Sequence, residues 1–302
     1  MTRDSRFPIY ASIGANIAIG TSKLTAAAFT GSSAMVAEGI HSLVDSMDGT
    51  LLLVGRSRSR RPPDDRHPFG YGQELYFWSL MVAVLFFTIG GGASIFQGIA
   101  HIQHPPPPRD PLWNYVVLGA ASLFDGTSFL IGFHAFRKRA RGRGVIEQLR
   151  RSKDPSLFTV VLEDTADLAG IALAFLGVWF SHRLGMPYLD GVASIAVGLV
   201  LGVVALVLLV QTKSLLIGEA AEPSVVAAIR RVVASDPSVV RELRPLTVHL
   251  GPHEILVALV VDFSPELRQR DVTRAIRQLE SKIRDVAPDV RQIFIAIASQ
   301  RS

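Results

Sequence analysis

The sequence predicts an all-α membrane domain of six transmembrane helices followed by a small cytosolic α+β domain. Three observations carry this reading. Six apolar runs are each long enough to cross about 30 Å of hydrocarbon. Basic residues gather in alternate loops. After residue 212 near-continuous apolarity gives way to amphipathic and alternating patterns. The expected domains are 1–212 and 213–302.

Composition sets the outer limits. Of 302 residues 49% are hydrophobic and only 19% are charged, too apolar and too unevenly so for a soluble domain. There is no cysteine, so disulfides and thiolate ligands are excluded and His, Asp and Glu remain as strong metal donors. The net charge of +5 comes from arginines in short loops beside apolar runs, and no basic stripe interleaved with aromatics is present. Nucleic acid is therefore not an expected partner.

The runs are expected at 9–29, 34–54, 75–99, 112–136, 157–180 and 188–210. The first is longer than a signal-peptide core and carries Asn16 and Lys23, so it is expected to be retained. Lys23 either snorkels to an interface or pairs with a carboxylate in the bundle. Between runs two and three, Arg56, Arg58, Arg60 and Arg61 mark a cytoplasmic loop, followed by the Pro- and Gly-rich turn Pro62 to Gly72. Run three opens on Tyr76, Phe77 and Trp78 and passes through Gly90, Gly91 and Gly92, which permit close helix approach or a bend. The Pro105 to Pro108 connection, poor in basic residues, belongs on the opposite side. Run four carries Asp125 and ends in the strongest basic cluster, Arg137 to Arg143, and 145–156 reads as an exposed polar helix. Run six has Asp190 near its start. In the tail, helices at 222–235 and 268–286 and strands at 243–250, 254–263 and 290–298 give an αββαβ sandwich. It has no nucleophile constellation, so an enzyme is not expected. His249 and His253 read as flanking a simple hairpin.

The chemistry lies in runs two and five. His41 and Asp45 are four apart, as are Glu163 and Asp167, and residues at that spacing share a helix face with β-carbons about 5–6 Å apart. Glu38 and Asp48 fall on the same face as His41. A charged side chain at bilayer depth costs roughly 2.5–3.5 kcal/mol, so two such clusters point to a metal site between two helices. Asp164, three before Asp167, is an alternative to Glu163, and the spacing does not choose between them. Asp64 and His67 form a weaker candidate site in the loop, where a purely structural turn is the rival.

Taken in order, His41-x-x-x-Asp45, the loop His67-Pro68-Phe69-Gly70-Tyr71-Gly72, Glu163-x-x-x-Asp167 and the ending Leu215-Leu216-Ile217-Gly218-Glu219-Ala220 resemble the cation diffusion facilitators over nearly the whole chain. The run Glu163-Asp164-Thr165-Ala166 is most similar to the branch containing the animal zinc transporter 9 proteins. The resemblance implies a homodimer in the lipid bilayer that exchanges a divalent cation, usually zinc, for protons by alternating access, with a ferredoxin-like tail. His41, Asp45, Glu163 and Asp167 would form an approximately tetrahedral site for the transported Zn²⁺, and no cofactor is implied. Glu163 stands where the zinc branch commonly has His, so a preference for manganese or iron is the alternative. Tyr71 stands where better-known members have a further loop His, and the last strand lacks their metal-binding His and Asp. A non-transporting scaffold is the other class. Interhelical polar contacts average only about 0.6 kcal/mol, a poor return for four ionisable groups at membrane depth.

Arginine asymmetry sets both termini in the cytoplasm, and the expected location is a bacterial inner membrane. With no native cysteine to interfere, a cysteine at Ser57 and one at Pro106 should react with an impermeant thiol reagent from opposite sides. Labelling of both from the same side would rule out six crossings.

Overall fold

The computed structural model describes residues 7–105, 110–139, 144–145, 147 and 152–298. The polar helix expected at 145–156 falls largely outside them, as do Arg141 and Arg143 of the basic cluster and Pro106 to Pro108. The chain divides into two compact units, Met1–Ser57 with Phe77–Lys213, and Arg58–Tyr76 with Ser214–Ser302.

The first unit is helical. It contains α1 (Phe7–Thr30), α2 (Ser33–Arg58) and α3 (Glu74–Leu85), which passes through a π-helical segment, Phe86–Gly92, into α4 (Ala93–Gln103). Then come α5 (Leu112–Arg139), α6 (Pro155–Leu184) and α7 (Tyr188–Ile217). By length and composition, Glu74–Gln103, Leu112–His134 and Tyr188–Ile217 are apolar enough to cross a membrane. The helices α1, α2 and α6, which carry Lys23, the His41 face and the Glu163 face, are not among those three. Two helices outrun the apolar pattern. The arginines Arg56 and Arg58 sit in the last turn of α2 rather than in a loop, where cations suit the helix dipole. The last helix, α7, runs on to Ile217.

Glycines set one seam of this unit. A Cβ added at Gly98 would lie 2.6 Å from the Gly191 carbonyl oxygen, and one at Gly198 would lie 2.8 Å from that of Gly91. The π-helical segment and α4 are therefore in backbone contact with α7 through small residues, as membrane helices pack when lipid supplies no hydrophobic drive. A second tie joins α7 to the start of α2. There Asp190 accepts hydrogen bonds from the Ser33 backbone N–H (2.5 Å), the Ser32 hydroxyl (2.7 Å) and the Ser33 hydroxyl (3.2 Å). A carboxylate here satisfies helix N–H groups that have no intrahelical partner.

The second unit holds α8 (Pro223–Ala234), β1 (Val239–Glu242), β2 (Leu246–Gly251), β3 (Glu254–Phe263), α9 (Gln269–Val286) and β4 (Val290–Ile297). On β3 every second residue, Ile255, Val257, Leu259, Val261 and Phe263, is buried, and α9 buries Ala275, Leu279 and Ile283 at four-residue spacing. Strand β3 pairs antiparallel with β1 and β2 and parallel with β4, with α9 as the crossover that a parallel pair needs. The strand expected at 243–250 starts three residues late, as β2, which pairs with the N-terminal half of β3, and Pro245 just before it cannot donate to a ladder. Strand β1 lies before the expected strand and pairs with the C-terminal half of β3, so the order is αβββαβ rather than the expected αββαβ. The segment between His249 and His253 is the hairpin turn expected, with Gly251 opposite Glu254. The loop from Arg58 also belongs to this unit. Gly70 turns with φ +87°, the Phe69 and Phe294 rings meet edge to face at 6.3 Å, and a Cβ at Gly72 would overlap the Leu250 carbonyl.

The α4–α7 seam gives a direct test. Gly191→Val should destabilise the purified protein by about 1–3 kcal/mol or more through overpacking, whereas Gly119→Ala, which meets open space, should not. Equal thermal stability of the two variants would show that the close approach is dispensable.

Candidate metal centre

Two helices build the centre. On α2, His41 and Asp45 stand one turn apart, and His41 Nδ1 lies 3.6 Å from Asp45 Oδ1. On α6, Asp167 brings its Oδ1 into direct contact with His41 Nε2. One donor atom from each of His41, Asp45 and Asp167 lies within 4.8 Å of the others. The imidazole is thus clasped between carboxylates from two helices and is wholly buried. Its ring meets the Phe86 ring edge to face at 5.1 Å, and Phe86 is the first residue of the π-helical segment.

Glu163 lies outside that three-residue group but beside it. Its Oε1 is buried with no hydrogen-bond partner among the described residues, and the side chain lines a cavity of about 370 Å³ shared with Asp45, Asp125, Asp164 and Asp167. Asp164 points toward α5, where the Ser128 hydroxyl reaches it at 3.5 Å and Gly132 leaves room for it. Asp48 is buried, and neither of its oxygens has a hydrogen-bond partner among the described residues. Buried polar atoms in folded proteins are nearly always bonded. Here they collect on one face of α2 and one of α6, around an acidic cavity.

The Asp64–His67 loop pair has different geometry. Asp64 Oδ1 accepts the backbone N–H groups of Arg66 (3.0 Å) and His67 (2.7 Å), and Oδ2 accepts the Tyr71 hydroxyl (2.7 Å). The Tyr71 hydrogen bond, then that from His67, hold the Asp64 carboxyl below its ordinary range, and the same contact raises the Tyr71 phenol. His67 Nδ1 is 3.6 Å from Asp64 Oδ1 and both side chains are about half exposed. Asp64 serves the turn, and a cation there competes with three donors.

The similarity to known proteins bears on this arrangement. Residues 9–217 match the model of the cation efflux transmembrane domain. The chain belongs to the cation efflux family. It is 32% identical, over 91% of its length, to the mitochondrial proton-coupled zinc antiporter SLC30A9 of Xenopus laevis, covering 48% of that protein. It is 33% identical over 78% of its length to metal tolerance protein C4 of Arabidopsis thaliana, covering 52%. The manganese efflux system protein MneP of Bacillus subtilis is 24% identical over 88% of the chain, with 86% of that protein covered. The chain thus spans about half the length of the first two relatives, and it falls with the zinc transporter 9 branch of the family. Family membership makes it an integral membrane protein of a class of transporters.

One residue of the centre is not evident from spacing alone. Lys23 does not snorkel: it is wholly buried, with Nζ 2.9 Å from Glu38 Oε2 and 3.0 Å from Ser42 Oγ. A lysine in an apolar run facing a carboxylate in the next was the signal available.

Proposed function

We propose that this protein moves a divalent cation, zinc first, across a membrane in exchange for protons, with His41, Asp45 and Asp167 as the core of the ion site and Glu163 as the fourth ligand. The observation that supports this best is the convergence of a buried imidazole and two partly buried carboxylates from α2 and α6, the carboxylates lining an acidic cavity. Apolar burial of such groups is costly unless they gain partners, and a dication supplies the partner for all of them at once. A dication needs neutral imidazole and ionised carboxylates, so protons and metal compete for the same atoms, and that competition is the source of antiport. The names of the SLC30A9 relative, a proton-coupled zinc antiporter, and of the plant metal tolerance protein agree with this reading.

The wider proposal is a six-crossing domain at 1–212 and a ferredoxin-like cytosolic domain at 213–302, working as a homodimer by alternating access. Helices of 24, 26 and 30 residues for α1, α2 and α6 are long enough to make six crossings with the three apolar ones. The parallel βαβ unit of β3, α9 and β4 suits a ferredoxin-like tail. We place the protein in a bacterial inner membrane with both termini cytoplasmic. Asp64 and His67 are a weaker second site, and Asp164 is the substitute should Glu163 not bind. One nitrogen among carboxylates also suits manganese or iron, and MneP carries manganese in its name.

Uptake into proteoliposomes tests the site. Asp45→Ala or Asp167→Ala should abolish zinc uptake while leaving expression and dimerisation nearly intact. Wild-type uptake by either would send the ion elsewhere.

His41→Asp tests metal choice. It makes the site all carboxylate, so Mn²⁺ uptake should rise relative to Zn²⁺, because imidazole favours zinc and oxygen donors favour manganese. An unchanged ratio would remove His41 from the ligand set.

A further inference from the structure

Lys23 projects from α1 onto the same α2 face that carries the ion site. Its two partners bracket His41. Glu38 stands one turn before it and Ser42 follows it, at 2.9 and 3.0 Å from the ammonium. Only Glu38 Oε2 is engaged. Oε1 is buried with no hydrogen-bond partner among the described residues and abuts Gly170 of α6, where a Cβ would overlap it. Gly170 is three residues beyond Asp167, so Glu38 occupies the same α2–α6 seam as the candidate ligands. The charge of Lys23 also acts on Asp125 and Asp167. As a mere clip between α1 and α2 this pair is a weak device, because the desolvation of two buried ions offsets most of their attraction.

We propose that Lys23 is a positioning residue that sets the ion's affinity: its ammonium holds Glu38 out of the coordination sphere and neutralises a carboxylate one helical turn from the site. This rests on His41, Asp45 and Asp167 holding the ion. Each extra carboxylate strengthens the binding of a hard or borderline dication, and a transporter must also release it. With Lys23 in place, Glu38 contributes neither a ligand nor net charge. Without Lys23 it is free to contribute both. Without Glu38, an unneutralised ammonium faces the ion.

The two single substitutions therefore act with opposite sign, which a purely structural clip would not produce. Zinc binding to the full chain in detergent, followed calorimetrically, should tighten in Lys23→Gln by about tenfold, with slower maximal uptake in liposomes. It should weaken in Glu38→Gln by about tenfold. The double variant Lys23→Gln/Glu38→Gln should return toward wild type, as should the charge-conserving Lys23→Arg. Should Lys23→Gln not yield monodisperse protein, Glu38→Gln against the double variant carries the test, the double binding zinc more tightly. Shifts of the two single variants in one direction, or Glu38→Gln binding as tightly as wild type, would overturn the proposal. Asp167→Ala runs alongside: zinc binding retained there defeats the ion-site reading, whereas binding lost there with unmoved Lys23 and Glu38 variants defeats this inference alone.

Discussion

The constraint on which the rest of the first unit depends is the clasp of His41 between Asp45 and Asp167 inside apolar helices. A buried imidazole beside partly buried carboxylates is tolerable only if their charges meet partners. Four-residue spacing supplies the geometry, since it presents His41 and Asp45 together on α2 and Glu163 with Asp167 on α6. Neighbouring elements then moderate the field. A buried ammonium neutralises Glu38, and the acidic cavity gives Asp45, Glu163 and Asp167 a wet side. The cluster's polarity also accounts for why α2 is less apolar than the three helices that pass a simple membrane criterion.

The packing around the centre divides into tight and yielding parts. Glycines hold α4 against α7 backbone to backbone, and Asp190 fastens the start of α7 to the start of α2. Between α3 and α4 lies the π-helical segment, whose first residue, Phe86, touches His41. π-Helical turns are rare within α-helices and recur at functional sites. One continuous rod thus presents Gly91 and Gly98 to α7 and Phe86 to the imidazole. Under the proposed alternating access, a shift of the rod is felt at His41.

Much of this was legible in the chain. The helices of the first unit lie where the apolar runs put them, and the two four-residue spacings, His41 with Asp45 and Glu163 with Asp167, contain all three converging donors. Strand β3 and the tail helices follow the period-two and period-3.6 patterns. The misses have physical causes. Helix ends are set by capping and dipole effects as well as apolarity, so α2 runs through Arg58 and α7 through Ile217. The strand expected at 243–250 begins only at Leu246, after Pro245, which has no N–H to give a ladder, and the short strand β1 before it, with Arg241 and Glu242 among its four residues, is too short and too polar to show an alternating pattern. Spacing along one helix says nothing of rotation against another. Asp167 therefore reached His41 while its partner Glu163 stood a turn away in the cavity wall. The Lys23–Glu38 pair depends on the same interhelical rotation, which no single run encodes.

The pattern of buried atoms bears on why the centre is better read as a place for an ion than as glue. A polar core that holds helices together pairs its donors with its acceptors, as Asp190 does with Ser32 and Ser33. The α2–α6 face does the opposite. It gathers acceptors: Glu38 Oε1, both Asp48 oxygens and Glu163 Oε1 are buried without a hydrogen-bond partner among the described residues, and Asp45 and Asp167 share the single imidazole of His41. Lys23 engages one oxygen of Glu38, and His41 lies between Asp45 and Asp167. Leaving a buried acceptor unpaired costs about 1–3 kcal/mol, so cohesion alone would select against the arrangement. A mobile cation or protons reverse the sign of that cost, because each oxygen then gains a partner that arrives from the cavity and departs again. The same excess of acceptors accounts for a lysine nearby. Under the proposed ion site, one fixed positive charge beside so many carboxylates keeps a dication from being held too firmly to pass on.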